Sequence, residues 1–314
     1  MNRRERKTVS PNAWLAVINP IAGKGKATRW VNMLETLCKQ ANIELGLATT
    51  RFKGDAITLA REGVIKGYRK FLAVGGDGTA SEVVEGLFTQ RSVPTRELTI
   101  STLPTGTGND WARTLNMPRS SREAVQILGL GDFTYYDIGK VEYFFDGQIR
   151  VRHFVNMAGV GIDAFIVHRL GERRPGVWGY YFELLKAAWH FSPPTVSMST
   201  DGFAISTPVL AIFANLGRFG GGGMKLAPEA SIDDGMLNLK VVDRMNGLQV
   251  LGESRRLFLG SLAKSRFIRD FTAPKAHIES CEAVPVQADG ELLGTTPVCL
   301  TVLPRAIRVL AALK

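Results

Sequence analysis

A group of residues that could bind phosphate stands where an apolar run of the chain ends. The run Phe71–Val74 has the character of a buried strand, and the turn Gly75–Thr79 follows it, leading into apolar residues at helical spacing. Glycines let main-chain N–H groups approach an anion, and a helix N-terminus favours negative charge. Asp77 would repel phosphate unless a cation lay between them, so the turn predicts a nucleotide accompanied by Mg²⁺. The alternative is an ordinary loop with a solvated carboxylate.

Two further loops have the composition of phosphate-binding turns. Asn19–Lys26 contains two glycines and the cations Lys24 and Lys26, which could neutralise phosphate charge. Pro104–Asp110 contains two glycines, two hydroxyls, an amide and a carboxylate. Such groups can bind phosphate oxygens or a metal-bound water. For both loops the alternative is a plain solvated turn.

Candidate proton acceptors lie near the end of the chain. Asp289 and Glu291 stand in Ala288–Leu292, between two strand-like runs where Asp-Gly also favours a hairpin turn. A carboxylate near an anionic nucleotide gains proton affinity, which suits a general base. Either residue could fill that role, and the sequence leaves both open.

One acidic turn could bind a cation. Asp233–Gly235 is either a tight turn that opens a strand or part of a site for a hard cation, which carboxylates and main-chain carbonyls suit. The histidines lack metal-ligand spacing and are interpreted as structural or surface residues: His153, His168, His190 and His277.

A regular order of strands and helices positions the glycine-bearing loops. Strand-like runs begin near residues 15, 43, 71 and 98, with a helical pattern in each gap. This order predicts an α/β domain with a doubly wound parallel sheet, in which ligands lie beyond the carboxyl ends of the strands. Thr79 and Glu82 stand three apart, which predicts a capping box at the helix start. The helix after the first strand should bury one face, formed by Trp30, Met33, Leu34, Leu37 and Cys38.

The second half of the chain has a different pattern. Short strand-like runs such as Thr195–Ser199 and Met236–Val242 are separated by Gly, Asp, Asn and Pro, which predicts a mostly antiparallel β-rich domain. Two helices are predicted within it, around Trp178–Phe191 and Leu248–Leu262.

Composition limits the partners of the chain. Its 314 residues predict about two domains, and its formal net charge of +10, from 39 Lys and Arg against 29 Asp and Glu, favours an anionic partner. That partner could be a nucleotide, nucleic acid or an acidic membrane. Three widely spaced cysteines fit a reducing interior without a disulfide framework. No apolar stretch that resembles a signal peptide follows the basic first residues, and no apolar run reaches about 18 residues, so no bilayer-spanning segment is predicted.

Several of these motifs, in order along the chain, resemble those of one known family. They are similar to the diacylglycerol kinase catalytic domain, within the lipid-kinase superfamily that also holds sphingosine and ceramide kinases, and most similar to its soluble bacterial branch. The resemblance covers almost the whole chain. The motifs are Asn19-Pro-Ile-Ala-Gly-Lys-Gly25, Thr50 with Gly54-Asp-Ala56, Gly75-Gly-Asp-Gly-Thr79, Pro104-Thr-Gly-Thr-Gly-Asn-Asp110, Asn156-Met-Ala-Gly-Val-Gly-Ile-Asp163, Ala227-Pro-Glu-Ala-Ser-Ile-Asp-Asp-Gly-Met236 and Asp289-Gly-Glu291.

The resemblance implies an ATP-dependent lipid kinase of two domains. The nucleotide-binding α/β domain is expected at residues 1–139 plus 304–314, because the C-terminal tail would return to it. The β-rich, β-sandwich-like domain for the lipid substrate is expected at residues 140–303. The cleft of such a kinase holds its active site.

ATP and Mg²⁺ are the cofactors that the resemblance implies. The chain departs from many members in having Ala22 where they carry serine, so one phosphate hydrogen bond would either be absent or come from Lys24 or the main chain. The residues expected to contact ATP are Asn19, Pro20, Gly23, Lys24, Gly25, Thr50, Gly75, Gly76, Asp77, Gly78, Thr79, Ser81, Glu82, Thr105, Gly106, Thr107, Asn109 and Asp110.

The resemblance also assigns roles to acidic residues. Asp77 would act on the catalytic Mg²⁺, directly or through water. Glu291 would take the proton from the lipid hydroxyl, with Asp289 as the competing base or as a group that orients Glu291 or the metal. A structural Mg²⁺ would be held by Asp234 and by the main-chain carbonyls of Ser231 and Met236.

Diacylglycerol is the leading acceptor, because Pro104–Asp110 with its terminal Asn-Asp is more similar to diacylglycerol kinases than to sphingosine kinases. Ceramide, a sphingoid base and phosphatidylglycerol stay open as acceptors. NAD kinase shares a Gly-Gly-Asp-Gly turn, but the other motifs argue against it. A non-enzymatic nucleotide- or nucleic-acid-binding module is a third interpretation; no recognised nucleic-acid motif is present, so no nucleic-acid partner is expected.

Docking of the enzyme on an anionic membrane is expected, because its substrate is a lipid. One candidate segment is Arg169–Arg174 with the aromatic-rich Trp178–Phe191. The other is Arg255–Arg269, whose cations interleave with apolar residues as in a surface-lying helix. Each could equally be a core helix with a solvated face. The expected location is cytoplasmic and peripheral to the membrane, and a homodimer is possible.

Overall fold

The computed structural model describes residues 9–10, 12–25, 27–171 and 176–312, with residues 24–29 and 176–177 described at most by their main chain. The chain forms two compact units. The first comprises Met1–Gly106, Leu115–Thr134 and Ile307–Lys314. The second comprises Thr107–Thr114 and Tyr135–Ala306.

The first unit alternates strands and helices, which confirms the predicted α/β fold. Its strands are parallel and lie in the order β4-β3-β1-β2. Its elements are β1 (Trp14–Ile18), α1 (Ala22–Gly25), α2 (Ala27–Gln40), β2 (Leu45–Thr49), α3 (Asp55–Ile65), β3 (Lys70–Gly75), α4 (Asp77–Thr89), a 3-10 turn (Thr95–Glu97), β4 (Thr99–Pro104) and, after the short α5 of the second unit (Asp110–Thr114), α6 (Ser121–Leu130).

Helices cover both faces of this sheet. Successive side chains of a strand point to opposite faces, so each strand supplies two packing layers. On one face Trp14 packs with Leu34 of α2 and with residues of α6. On the other face Leu15 lies against Gly63 of α3, which in turn packs on α4. The sheet is therefore doubly wound.

The buried face of α2 differs from the predicted one, because Val31 packs against the core and Met33 does not. Leu34 and Cys38 are buried, and burial raises the pKa of the Cys38 thiol to about 11. Met33 was predicted on the same face but is 41% exposed. It stands about 100° around the helix from Leu34, outside the stripe that meets the sheet.

Helix α4 begins at Asp77, earlier than the capping pattern predicts. Gly76 is the N-cap residue and no described side chain caps the helix. The predicted capping box is wrong, because the side chains of Thr79 and Glu82 form hydrogen bonds with neighbouring loops instead. Thr79 Oγ1 accepts a hydrogen bond from Asn19 Nδ2, and Glu82 Oε1 accepts one from the N–H of Gly54.

The second unit is β-rich and antiparallel, as predicted, and six of its strands lie in the order β13-β12-β9-β7-β15-β16. A core of aliphatic side chains from these strands includes Ile212, Leu239 and Val286. Its elements after α5 are β5 (Thr134–Phe145), β6 (Gln148–Phe154), β7 (Met157–Gly161), α7 (Ile162–Leu170), α8 (Gly176–His190), β8 (Thr195–Ser199), β9 (Ala204–Asn215), β10 (Phe219–Gly220), β11 (Met224–Lys225), β12 (Leu237–Asp243), α9 (Gly247–Leu259), a 3-10 turn (Leu262–Lys264), β13 (Ile268–Ala273), β14 (Lys275–Ser280), β15 (Pro285–Ala288) and β16 (Glu291–Val309).

The two helices predicted in this half are α8 and α9. The prediction of one surface-lying helix across Arg255–Arg269 is wrong. Helix α9 ends at Leu259 because Gly260 adopts a left-handed conformation with φ of 69°. The chain then passes through the 3-10 turn into β13.

The limits of the units differ from the predicted domain limits. Residues 107–114 belong to the second unit because Asp110 accepts a hydrogen bond from the N–H of Gly222, and the ring of Trp111 packs edge-on against Tyr136. The other limits fall at 134/135 and 306/307 rather than at 139/140 and 303/304. The C-terminal residues return to the first unit as predicted, and Arg308 pairs in parallel with Thr99 of β4.

Candidate active site

The glycine-bearing loops of the first unit lie at one edge of its sheet. Asn19 follows β1, Gly76 follows β3 and Thr105 follows β4, and the carboxyl ends of these parallel strands share that edge. β1 and β3 are neighbours although the chain forms β2 between them, so the strand order reverses there. Open α/β sheets bind ligands in the crevice at such a switch point.

Three main-chain segments approach each other closely at this edge, and glycine makes the approach possible. Gly23 has φ of +63°, and a Cβ built on it would lie 2.6 Å from the carbonyl oxygen of Thr105. A Cβ on Gly76 would lie 3.3 Å from Cα of Gly106. The N–H of Thr105 donates to the carbonyl of Gly75 at 2.9 Å. We call residues 19–25, 75–79 and 104–106 together the glycine cradle.

The polar groups of the glycine cradle suit the phosphates of a nucleotide. The first N–H groups of α4 point into this edge, where a helix N-terminus favours an anion. Asn19 Nδ2 donates to Thr79 Oγ1 at 3.3 Å, which joins two of the segments. Thr105 Oγ1 is buried, and no described group forms a hydrogen bond with it. An unsatisfied hydroxyl beside close main-chain segments fits a phosphate ligand.

The other residues predicted to contact ATP in the first unit have varied environments. Asp77 and Gly78 are the first residues of α4. Thr50 follows β2 at the same edge and donates its N–H to the carbonyl of Ile18 at 2.8 Å. Ser81 is buried within α4. Lys24 and Gly25 belong to α1, and the side chain of Lys24 lies outside the described residues.

The predicted residues Thr107, Asn109 and Asp110 belong to the second unit. Asn109 is buried with a positive φ of 58°, which ends the turn before α5. The carboxylate of Asp110 forms an ion pair with Arg113 at 3.0 Å and accepts the N–H of Gly222 at 2.7 Å. Both Asp110 oxygens thus hold the loop within its unit.

Asp289 and Gly290 form a two-residue turn between β15 and β16. Their φ values, 47° and 78°, are both positive, as a type I′ turn requires. Ala288 pairs directly with Glu291, which is the first residue of β16. The hairpin expected from Asp-Gly is therefore present, with one carboxylate in the turn and the other on the strand.

Asp289 holds the turn against the main chain of its unit. Its Oδ2 accepts the N–H of Val155 at 2.8 Å, and its Oδ1 accepts those of Asn156 and Met157 at 3.0 and 3.1 Å. A carboxylate engaged by three main-chain donors is a structural acceptor.

Glu291 has a different environment. Its Oε2 lies 2.8 Å from Nη2 of Arg152, and 34% of its side chain is exposed. Arg152 extends from β6 and is largely buried, so the ion pair fixes one oxygen of Glu291 while the side chain keeps contact with solvent.

The predicted structural metal site lies in the loop before β12. Asp234 is exposed and its Oδ1 accepts the N–H of Met236 at 2.9 Å, while Ser231 Oγ donates to Asp233 at 3.2 Å. A carboxylate with main-chain carbonyls forms an all-oxygen donor set, which fits Mg²⁺. Among the described residues no three acidic, cysteine or histidine side chains group into a metal site, so a cation here would depend on main-chain oxygens.

Asp137 organises that loop and was missed by the sequence analysis. Its carboxylate is fully buried and accepts the N–H groups of Gly235 and Arg305, both at 2.6 Å. Burial raises the pKa of Asp137, as do the nearby charges of Asp234 and Asp233, while the two N–H donors oppose the rise. A carboxylate between Tyr136 and Ile138 was the signal available in the sequence.

Arg152 was also missed. It stands in the alternating run of β6, where an arginine is an ordinary solvated residue, and its partner Glu291 is far away in sequence. No local pattern could have identified it.

Membrane-spanning helices are not found in the described part of the chain: no helix there combines sufficient length with sufficient apolarity to cross a bilayer. The three cysteines are unpaired with one another.

Comparisons with known proteins agree across both units. Residues 13–141 match the family described as "Diacylglycerol kinase catalytic domain", and residues 156–311 match "YegS C-terminal NAD kinase beta sandwich-like domain". The chain is 26% identical over 284 residues to the diacylglycerol kinase of Bacillus subtilis, covering 90% of each chain. It is 30% identical over 300 residues to a Pseudomonas aeruginosa protein named "Probable lipid kinase YegS-like", covering 93% of each.

Two solved structures share the fold. A diacylglycerol kinase from Bacillus anthracis superposes with a TM-score of 0.72 at 23% identity, covering 96% of this chain and 97% of that one. Yeast NADH kinase complexed with NADH superposes with a TM-score of 0.55 at 10% identity, covering 97% and 84%. At these identities the likeness concerns the fold alone.

Proposed function

Because the chain belongs to the family of diacylglycerol-kinase-like lipid kinases, we propose that it transfers the γ-phosphate of ATP to the hydroxyl of diacylglycerol, forming phosphatidic acid. The observation that carries the proposal is the presence in one chain of the glycine cradle and of Glu291 beside a rigid turn. The cradle can bind a triphosphate, and Glu291 can accept a proton.

ATP binding is assigned to the glycine cradle. The close approach of Gly23 to Thr105 and the unsatisfied hydroxyl of Thr105 support it. Asn19, Thr79 and the N-terminus of α4 would contact the phosphates. The remaining predicted contacts of the first unit, among them Thr50 and Gly78, belong to the same assignment.

Two Mg²⁺ positions belong to the proposal. Asp77 would hold the catalytic ion, and Asp234 with the carbonyls of Ser231 and Met236 would hold a structural one. When bound, Mg²⁺ neutralises charge on the phosphates.

Glu291 is the proposed proton acceptor. In the reaction the lipid oxygen bonds to the γ-phosphorus, the bond from that phosphorus to the bridging oxygen of ADP breaks, and the hydroxyl proton passes to the carboxylate. The contrast between the two acidic residues supports this choice. Asp289 already accepts three main-chain hydrogen bonds, whereas Glu291 is partly exposed and is oriented by Arg152.

A screen with radiolabelled ATP against lipid alcohols in mixed micelles tests the acceptor. The expected result is label in phosphatidic acid from diacylglycerol, above that from ceramide, a sphingoid base or phosphatidylglycerol. Preferred labelling of another lipid would change the proposed acceptor but would still support a lipid kinase. Labelling of NAD alone, or release of inorganic phosphate alone, would contradict the proposal.

Helices α8 and α9 are proposed to dock the enzyme on an anionic membrane. Along α8, Trp178, Phe182 and Trp189 are exposed and separated by four and seven residues, so they form one stripe. Along α9, Leu248, Leu251 and Leu259 form a second exposed stripe, which also includes Arg255. Aromatic rings favour the interface of a bilayer, and cations favour its anionic headgroups.

The two stripes belong to helices that pack against each other in opposite directions. Trp178 at the start of α8 stacks on Phe258 near the end of α9, and Trp189 near the end of α8 lies against Gly247 at the start of α9. Lys186 of α8 is exposed, as is Arg169 near the end of α7. The net charge of +10 of the whole chain also favours an anionic bilayer.

Liposome sedimentation tests the docking surface. Binding should rise with the fraction of phosphatidylglycerol in phosphatidylcholine vesicles and fall in a Phe182→Ser, Arg255→Glu variant. Ile149→Ser is the control, because Ile149 is 76% exposed but lies on β6. Binding that does not depend on anionic lipid would contradict the proposal. If the wild type self-associates and the variant does not, the surface would instead be assigned to a homodimer. A cytoplasmic, membrane-peripheral location is part of this proposal.

A further inference from the structure

Three polar side chains of the second unit form a chain of hydrogen bonds that ends at the turn beside Glu291. The hydroxyl of Tyr180, on α8, donates to Asp163 Oδ1. Gln287 Nε2 donates to Asp163 Oδ2 at 2.5 Å, and Gln287 Oε1 accepts the N–H of Gly290 at 2.8 Å. Asp163 and Gln287 are both buried. The residue that immediately precedes Glu291 is thus bonded to a buried network.

The chemistry of this network requires a primary amide at position 287. One end of the side chain must donate to a carboxylate and the other must accept from a main-chain N–H, and only an amide of this length does both. A glutamate would bring a second carboxylate against Asp163, and an apolar residue of the same length would leave both partners unsatisfied.

The strands leave space for this network at a glycine. Gly159 of β7 pairs directly with Gln287 of β15, and a Cβ built on Gly159 would lie 2.4 Å from Asp163 Oδ2 and 2.8 Å from Gln287 Nε2. Asp163 stands in the first turn of α7, after Gly161 with its φ of +100°. The motif Asn156–Asp163 therefore supplies both the carboxylate and the space that it occupies.

The geometry of β15 connects Gln287 both to this network and to the start of β16. Val286 and Ala288 point into the sheet core, so Gln287 points to the opposite face, toward α7. The pairing of β15 with β16 shifts register between Val286 and Gln287. Such irregularities change the direction of nearby side chains. Because a two-residue turn joins β15 to β16, a contact that fixes the end of β15 also fixes the start of β16, where Glu291 lies.

We propose that Gln287 is a positioning residue for Glu291, with Asp163 and Tyr180 holding its side chain in place. The proposal rests on the proposed function, in which Glu291 accepts the proton of the lipid hydroxyl. Gln287 acts on the reaction only through the main chain of Gly290.

The first test is steady-state lipid phosphorylation by Gln287→Met. This variant keeps the side-chain length and removes both hydrogen bonds. We expect kcat to fall by about tenfold or more, because small displacements of a reacting group are costly, with KM for ATP unchanged. An unchanged kcat would overturn the proposal.

A matched pair of tyrosines separates positioning from stability. Tyr180 and Tyr181 are adjacent on α8, and each hydroxyl forms one side-chain hydrogen bond, to Asp163 and to Ser254 respectively. Tyr180→Phe should lower kcat by about threefold, whereas Tyr181→Phe should leave it unchanged at a similar melting temperature. Equal losses in the two variants would show a general structural effect and overturn the proposal. This pair also serves if Gln287→Met does not fold.

Hydrogen–deuterium exchange tests the link without an activity assay. The amide of Gly290 should exchange faster in Gln287→Met, and faster in Tyr180→Phe than in Tyr181→Phe. Unchanged exchange at Gly290 would overturn the positioning role whatever the activity. If the wild type phosphorylates no lipid, the proposed function fails, and faster exchange at Gly290 would still support the link between Gln287 and the turn.

Discussion

The glycine cradle of the first unit and the Asp-Gly-Glu turn of the second unit reach a fixed geometry by opposite means. The cradle depends on main-chain groups that approach closely because side chains are absent, as at Gly23 and Gly76. The turn depends on side chains that reach distant parts of the sequence. Asp289 bonds to Asn156 across 133 positions, and Gln287 bonds to Asp163 across 124.

This difference corresponds to the two tasks of a phosphoryl-transfer enzyme. A nucleotide presents many equivalent phosphate oxygens, which main-chain N–H groups at strand ends can bind. Proton transfer instead needs one carboxylate at one position, which a network of directed hydrogen bonds supplies. Substitutions of the cradle glycines should therefore change ATP binding, whereas substitutions of Glu291 or of the proposed metal ligand Asp77 should change turnover.

The largest effect is expected for Asp77→Asn, the one side chain of the cradle assigned to the catalytic metal. Turnover should fall by at least about a hundredfold, as is usual on losing a catalytic carboxylate. Asp132→Asn, an exposed residue of the same unit, is the control. Near-normal turnover in Asp77→Asn would mean that the cradle acts through its main chain alone.

Gly23→Ala tests whether main-chain proximity binds ATP. The added Cβ would meet the carbonyl of Thr105, and a positive φ is unfavourable for alanine. We expect KM for ATP to rise by about tenfold, with KM for diacylglycerol unchanged. Gly129→Ala, in α6 with ordinary contacts, should behave as wild type. A change confined to KM for diacylglycerol would contradict the assignment of ATP binding to the cradle.

Asp289→Asn tests the structural role of the turn carboxylate. Asparagine tolerates the positive φ of this position, so the turn itself should survive. Loss of hydrogen bonds to a charged acceptor should lower the free energy of unfolding by about 2 kcal/mol in urea denaturation. Glu279→Gln, an exposed residue of β14, should stay within about 0.5 kcal/mol. If Asp289→Asn were fully stable and inactive, Asp289 rather than Glu291 would be the base.

A smaller effect is expected on how the stability of the protein depends on pH. Burial raises the pKa of Asp163, and the hydrogen bonds from Tyr180 and Gln287 oppose the rise. A carboxyl whose pKa is raised on folding contributes stability that is complete below its unfolded value of about 3.9 and is lost as the pH rises through the folded value. The melting temperature of wild type minus that of Asp163→Asn should therefore decrease from pH 4 towards neutrality. A difference that grows with pH would contradict this.

The parts of the molecule that follow local rules could be predicted from the sequence. Strands β1 and β4 begin at Trp14 and Thr99, each one residue from its predicted start, and Asp-Gly at 289–290 forms the expected hairpin turn. Periodicity and glycine placement act over a few residues, so they are readable without the fold.

The remaining features depend on partners far along the chain. Thr79 and Glu82 would have capped α4, but Asn19 and Gly54 engage them instead. Residues 107–114 join the second unit through Gly222 and Tyr136, and Asp137 and Arg152 are explained only by their three-dimensional neighbours. Such contacts leave no spacing signal in the sequence.

The most direct test of the division of tasks is the steady-state kinetics of Glu291→Gln with ATP and diacylglycerol varied independently. The substitution keeps the shape of the side chain and its contact with Arg152 but removes the proton acceptor. We predict that kcat falls by at least about a hundredfold while KM for ATP stays within about twofold of wild type. Near-normal turnover, or a loss confined to KM for ATP, would contradict the account.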